Sequence, residues 1–170
     1  MRTPHHPHDE AHMSEKKTCW LDAMSVSART GSGYPTPFAE AVAGRAKRAL
    51  GDPLDLTQFG VNLVTLPPGA WSSQRHWHAN EDEFVYVLEG EATLVTDAGE
   101  TLLKPGTAAG FPAGRADGHH LINRTDKPVV YLEVGTRAPT EVAQYSDIDM
   151  MVRRDGGTFV FTHKNGDPYP

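Results

Sequence analysis

Glycine and proline cut this chain into short runs, and that punctuation limits the fold more than any other feature. The chain has Gly 16 and Pro 13 in 170 residues, spread as turn signals between β-rich stretches. Phe59–Leu66 ends at Pro67-Pro68-Gly69, Ala70–His78 and Glu83–Leu88 follow, and Glu89-Gly90 turns the chain again. Asp97-Ala98-Gly99-Glu100 precedes Thr101–Leu103, and Lys104-Pro105-Gly106 and Pro112-Ala113-Gly114 are further turns. Leu121–Asn123 and Val129–Val134 supply two more strands around Thr125-Asp126-Lys127-Pro128. The pattern predicts an all-β barrel or sandwich spanning 59–135.

The flanks read differently. Residues 1–29 are expected to form a flexible leader, with four histidines in Met1–His12 and an alternative start at Met13. Within 30–58, Thr30–Pro37 reads as an extended arm, because proline fixes φ and keeps its predecessor out of the helical region. A short helix is expected from Pro37, with Phe38, Val42, Ala46 and Ala49 on one face and Gly51 as the stop. Arg45, Lys47 and Arg48 are then a solvated basic face. Residues 136–170 form a C-terminal extension packed on the barrel: Thr136–Met151 shows no clear period, whereas Thr158–His163 alternates as a strand, with His163 an ordinary histidine.

Charge and cysteine usage narrow the function. A formal net charge of −6 argues against nucleic acid as partner, because phosphate contacts need clustered Lys and Arg. Cys19 is the one cysteine, so no internal disulfide is available and no oxidising compartment is required. There is no apolar run of membrane-spanning length and no apolar stretch of a secretory signal near the start, so the expected location is the cytoplasm and the expected partner a small molecule.

The chemistry concentrates in His76-Trp77-His78-Ala79-Asn80-Glu81-Asp82-Glu83. Residues i and i+2 of a strand share a face, so His76 and His78 can present both imidazoles to one point. Glu83 opens the next strand and can bring an oxygen there. Such a nitrogen and oxygen set suits one divalent transition metal per chain: Fe, Mn, Ni, Zn or Cu.

Gly69 precedes this pair and Gly90 follows Glu83 after the six residues Phe84–Glu89. Further on stand Gly106, then Thr107–Phe111, then Pro112-Ala113-Gly114, then His119, His120 and Asn123. In this order of residues the chain resembles the cupin superfamily, whose two motifs it carries with small changes of spacing. The resemblance implies a double-stranded β-helix, or jelly roll, holding a metal on His76, His78, Glu83 and one of the paired histidines. Counting back from Asn123 selects His119, with His120 the alternative. It also implies a homodimer formed by strand or arm exchange, to which the arm at Thr30–Pro37 is suited.

If Ala70–His78 is one strand, Ser72 and Gln74 share the inward parity of His76 and His78, and Arg75 and Trp77 face away. Gln74 is then a substrate hydrogen-bonder. Val85 and Val87 point inward with Glu83, and Tyr86 outward. Phe111 and Arg115 flank the second motif, Phe111 as a gate and Arg115 as a partner for a carboxylate or phosphate. Three functions follow: an oxygenase, placed slightly ahead; an isomerase of the sugar phosphate class, or a lyase, using the metal as Lewis acid; and a non-catalytic metal or metabolite binder. An isomerase needs a base, and Glu133, Tyr131 and His120 are the candidates, without a defined parity.

Overall fold

Strands form where the sequence alternates and stop where glycine or proline intervenes. The computed structural model describes residues 18–155 and 157–169. The histidines of Met1–His12 and the alternative start at Met13 lie outside the described residues. The strands are β1 (Arg29–Thr30), β2 (Ala46–Ala49), β3 (Phe59–Leu66), β4 (His76–His78), β5 (Glu83–Glu89), β6 (Ala92–Thr96) and β7 (Gly99–Leu103). They continue with β8 (Ala108–Phe111), β9 (His120–Ile122), β10 (Val129–Thr136), β11 (Thr140–Tyr145), β12 (Met151–Asp155) and β13 (Thr158–Thr162). The only helical elements among the described residues are short 3-10 turns. None is long and apolar enough to cross a membrane.

Two walls face each other in a jelly roll. One is a six-stranded sheet in the order β1-β2-β3-β10-β5-β8. The other joins the sheet β13-β12-β11-β4 to the sheet β7-β6-β9 through the bridges His76↔His119 and Trp71↔Ile122. Between them lies a core of Val64, Leu66, Val85, Val87, Leu121 and Tyr131 with their neighbours. A second cluster of Ala143, Tyr145, Met150 and Val152 takes Tyr34 and Phe38 of the arm against the C-terminal strands.

The glycine and asparagine of the motifs have structural work. Gly90 has φ +72°, and a Cβ there would meet the Pro128 carbonyl oxygen at 2.4 Å, so only glycine fits this turn. Asn123 is fully buried; its amide donates to the carbonyls of Leu66 at 2.9 Å and Lys127 at 2.7 Å, and its oxygen accepts from the Thr125 N–H and hydroxyl.

Three sequence expectations are corrected. The helix after Pro37 is a single 3-10 turn at Glu40–Val42, and Ala46–Ala49 is a strand paired with β3 in the register Lys47↔Val64 and Ala49↔Asn62. The apolar spacing was helical, but the open edge of β3 offers unpaired backbone groups that a strand satisfies and a helix does not. Ala70–His78 is not one strand: Ser72–Arg75 is a bend and only His76–His78 is extended, so parity does not carry back to Gln74. Thr140–Tyr145 is a strand whose buried residues are Glu141, Ala143 and Tyr145. An inward glutamate hid its alternation.

Candidate metal centre and adjoining cavity

His76 and His119 sit opposite each other on the seam between the two parts of the second wall. The His76 N–H donates to the His119 carbonyl at 3.2 Å and the His119 N–H to the His76 carbonyl at 2.8 Å. Glu83 arrives from the facing sheet after a turn over residues 79–82. Glu141 clamps that turn by accepting the N–H groups of Ala79 at 2.9 Å and Asn80 at 3.0 Å. Glu81 pairs with Arg154 and accepts the Ala138 N–H at 2.8 Å.

His76, Glu83 and His119 each bring one donor atom within 4.8 Å of the other two, and His78 adjoins this group while it also stands with Glu81 and Glu141. His76 Nε2 lies 3.0 Å from His78 Nε2, and His119 Nε2 lies 3.1 Å from Glu83 Oε2. Glu83 Oε2 is 3.6 Å from His78 Nε2 and 3.9 Å from His76 Nε2. The 3.0, 3.1 and 3.6 Å spacings match the ligand-to-ligand edges, about 3 to 3.6 Å, of a shell with bonds of about 2.0–2.2 Å, and the 3.9 Å spacing is longer.

The surroundings set the tautomers. His76 Nδ1 is 3.0 Å from the Gln74 carbonyl, which can only accept, so Nδ1 carries the proton and Nε2 a lone pair. His78 Nδ1 faces Glu141 Oε1 at 3.3 Å, outside hydrogen-bond geometry but close enough for the charge to act. Two imidazole nitrogens 3.0 Å apart, one already a bare lone pair, need a proton or a shared cation between them. The residues therefore fit a divalent transition metal.

Burial, with help from the neighbouring His78, pushes the His76 pKa down to about 3, so the ring is neutral. Burial works against the charge of Glu83, but hydrogen bonds from His119 and His78 outweigh it and hold its carboxyl well below the usual range. For His78, burial is outweighed by the Glu83 and Glu141 carboxylates, and its pKa rises.

The other expected residues are distributed as follows. His120 is not in the cluster: its Nδ1 lies 3.0 Å from the Ser73 carbonyl and its ring stands edge-on to Trp71. Phe111 stacks flat on His119 with ring centroids 3.5 Å apart. Gln74 does not line the cavity; its amide donates to the Phe38 carbonyl at 2.8 Å and ties down the arm. Arg115 is exposed and lines a separate space of about 180 Å³ on which Trp77, His78, Phe111 and His119 also border.

The cluster opens into a cavity of about 290 Å³ that residues from outside the motifs help to line. Arg45 and Lys47, read from sequence as a solvated face, line it together with Tyr34, Tyr131, Glu133 and Tyr145. The reason is the strand: β2 alternates, so Lys47 lies beside Val64, Val64 pairs with Tyr131, and Asn62 pairs with Glu133. Tyr131 and Glu133 thus share the inner face of β10. The Glu133 carboxylate accepts from Lys47 Nζ and, at 3.1 Å, from Asn62. Sequence reasoning missed Tyr34, Glu141 and Tyr145; a strand period with one polar inward residue was the signal for Glu141.

Residues 62–135 match the cupin domain family. A sugar phosphate isomerase from a cupin superfamily, from Silicibacter pomeroyi DSS-3, is 53% identical with a TM-score of 0.86, over 89% of this chain and 96% of that one. A protein of Acidithiobacillus ferrooxidans ATCC 23270, named a candidate sugar phosphate isomerase, is 30% identical with a TM-score of 0.67, over 71% of this chain and 77% of that one. The polyketide cyclase RemF from Streptomyces resistomycificus, 23% identical with a TM-score of 0.56 over 69% of this chain and 78% of that one, shares the fold. No curated protein matches the chain. By its two motifs, its jelly-roll walls and these relatives, the chain belongs to the cupin superfamily.

Proposed function

We propose that this chain is a metal-dependent isomerase of a small hydroxy-oxo compound of the sugar phosphate class. The observation that carries the reading is one cavity lined both by the His76, His78, Glu83 and His119 cluster and by the cations Arg45 and Lys47 and the carboxylate Glu133. The names of two relatives at least 30% identical point the same way. Oxygenase chemistry, put slightly ahead on sequence alone, draws no specific support from them, and an oxygenase has no need of an inward carboxylate held by a lysine.

A divalent ion bound by the four ligands would polarise a substrate carbonyl and acidify the neighbouring C–H. The chain's own residues then divide the remaining work. Glu133 takes the proton from the hydroxyl-bearing carbon next to the carbonyl and returns it to the former carbonyl carbon, while the hydroxyl proton passes to the former carbonyl oxygen, so bonds and charge balance within the substrate. Lys47 and Asn62 fix the orientation of that carboxylate. Burial, and then the nearby Glu133 charge, raise the Tyr131 pKa well above its usual value, which keeps its hydroxyl protonated as a donor. Phe111 packs on His119 and shields that ring from water.

Incubation of the metal-loaded chain with aldose and ketose phosphates in D₂O tests this directly. Interconversion with solvent deuterium at the exchanged carbon, and no oxygen consumption, is the expected result. Substrate-dependent oxygen uptake without isomerisation would replace this reading with the oxygenase one.

A further inference from the structure

Lys47 and Arg45 line the same cavity but differ in how their charge is met. Lys47 pairs with Glu133. Among the described residues no carboxylate lies within ion-pair distance of Arg45, whereas Lys47, the other basic side chain of the cavity wall, has Glu133. Its guanidinium is held by backbone carbonyls, from Nη1 to Ser72 and from Nη2 to Gly31 at 3.4 Å, while its buried Nε–H has no acceptor. A second donor lines the same cavity. The Tyr131 hydroxyl belongs to a residue 1% exposed, lines the cavity and has no well-formed hydrogen bond.

The charge of Arg45 acts on the hydroxyls of Tyr34, Tyr131 and Tyr145, which all line that space. Arg45 also borders a second space of about 330 Å³ with Arg29, Gly31 and Tyr34, so it stands where the cavity meets the N-terminal arm. Carbonyl oxygens orient a guanidinium but do not neutralise it, and a low-dielectric wall makes an uncompensated cation costly. What would satisfy both stranded donors and the charge is an acceptor carrying negative oxygens.

We propose that Arg45, with Tyr131, seats the phosphate or carboxylate group of the substrate, so that selection for an anionic substrate is made by a residue outside the motif-bearing segment. The proposal rests on the isomerase reading for the reacting end of the substrate only. The seat itself stands on Arg45.

Isothermal titration of the full chain with inorganic phosphate, and separately with acetate, tests the seat without requiring turnover. Saturable binding of one or both is expected, the tighter one naming the chemistry. Arg45→Gln should weaken it by about tenfold or more while divalent metal uptake stays as in the wild type, and Tyr131→Phe by roughly 3- to 10-fold. Should Arg45→Gln fail to fold, the Tyr131→Phe titration and a wild-type crystal soaked in phosphate remain, the latter with density expected against Arg45. Binding of neither anion, undiminished affinity in both variants, or phosphate found only at the histidine cluster would overturn the proposal. Loss of isomerase activity in the wild type would leave it standing, because the titration reads binding alone.

Discussion

The two groups of residues that line the cavity were built in opposite ways. The metal-centre side comes from residues near one another in sequence, with His76, His78 and Glu83 separated by one strand and one turn, and His119 on the seam. The cationic side is drawn from three places: Tyr34 in the arm, Arg45 and Lys47 just before and on β2, and Tyr131 and Glu133 on β10. Local spacing fixes His76, His78 and Glu83, and a single bridge adds His119. Only sheet register brings the second group together, so chemistry that depends on it is invisible until the strands are paired.

The contrast can be broken most sharply at its centre. His119→Ala should abolish stoichiometric metal binding, a loss of at least about 100-fold in affinity, whereas His120→Ala should leave it near wild type. Competition with a chromophoric chelator reads both. Equal losses would mean that the seam places the wrong histidine.

Next is a purely structural test of the motif segment. Gly90→Ala should cost roughly 2–4 kcal/mol, from the left-handed backbone and the contact with the Pro128 carbonyl together. Urea unfolding measures it, and a cost under about 0.5 kcal/mol would show that the turn relaxes.

A third test sharpens the boundary between the groups. Glu141 lies on β11, outside the motifs, yet clamps the turn that delivers Glu83 and faces His78. Glu141→Ala should lower metal affinity about 10- to 100-fold without unfolding the chain, seen in the same chelator competition with circular dichroism as control. Unchanged affinity would confine the metal centre to the motif residues.

The smallest effect concerns the link between β4 and the loop after β11. Hydrogen bonding to the Arg75 guanidinium holds the Asp147 carboxyl below its usual pKa. A lowered folded-state pKa gives stability that is present above the ordinary carboxylate pKa and lost as pH falls through the folded value. Since the Asp147 side chain is 58% exposed, the contribution should stay under about 1 kcal/mol. Asp147→Asn should therefore narrow the stability gap between neutral and acidic pH by no more than that in thermal melts.

Much of the barrel was legible because its turns are written in glycine and proline, and the candidate ligands His76 and His78 in a two-residue strand period. What was not legible shares a cause. Arg45 and Lys47 were read as a solvated helical face because Phe38, Val42, Ala46 and Ala49 have helical spacing, and the free edge of β3 that claims this segment lies beyond any local window. Gln74 was placed inward by extending β4 backward through a bend. Glu141 breaks the apolar alternation of β11 by burying a charge, where it accepts the Ala79 and Asn80 N–H groups. Burial of polar groups therefore blurs the pattern where function is densest.

The most direct measurement is divalent metal content of the purified chain by elemental analysis, wild type beside His76→Ala and Glu83→Ala. Near one ion per wild-type chain and little in either variant is the expected result. Retention of a full complement in both variants would contradict the assignment of this cluster as the metal centre.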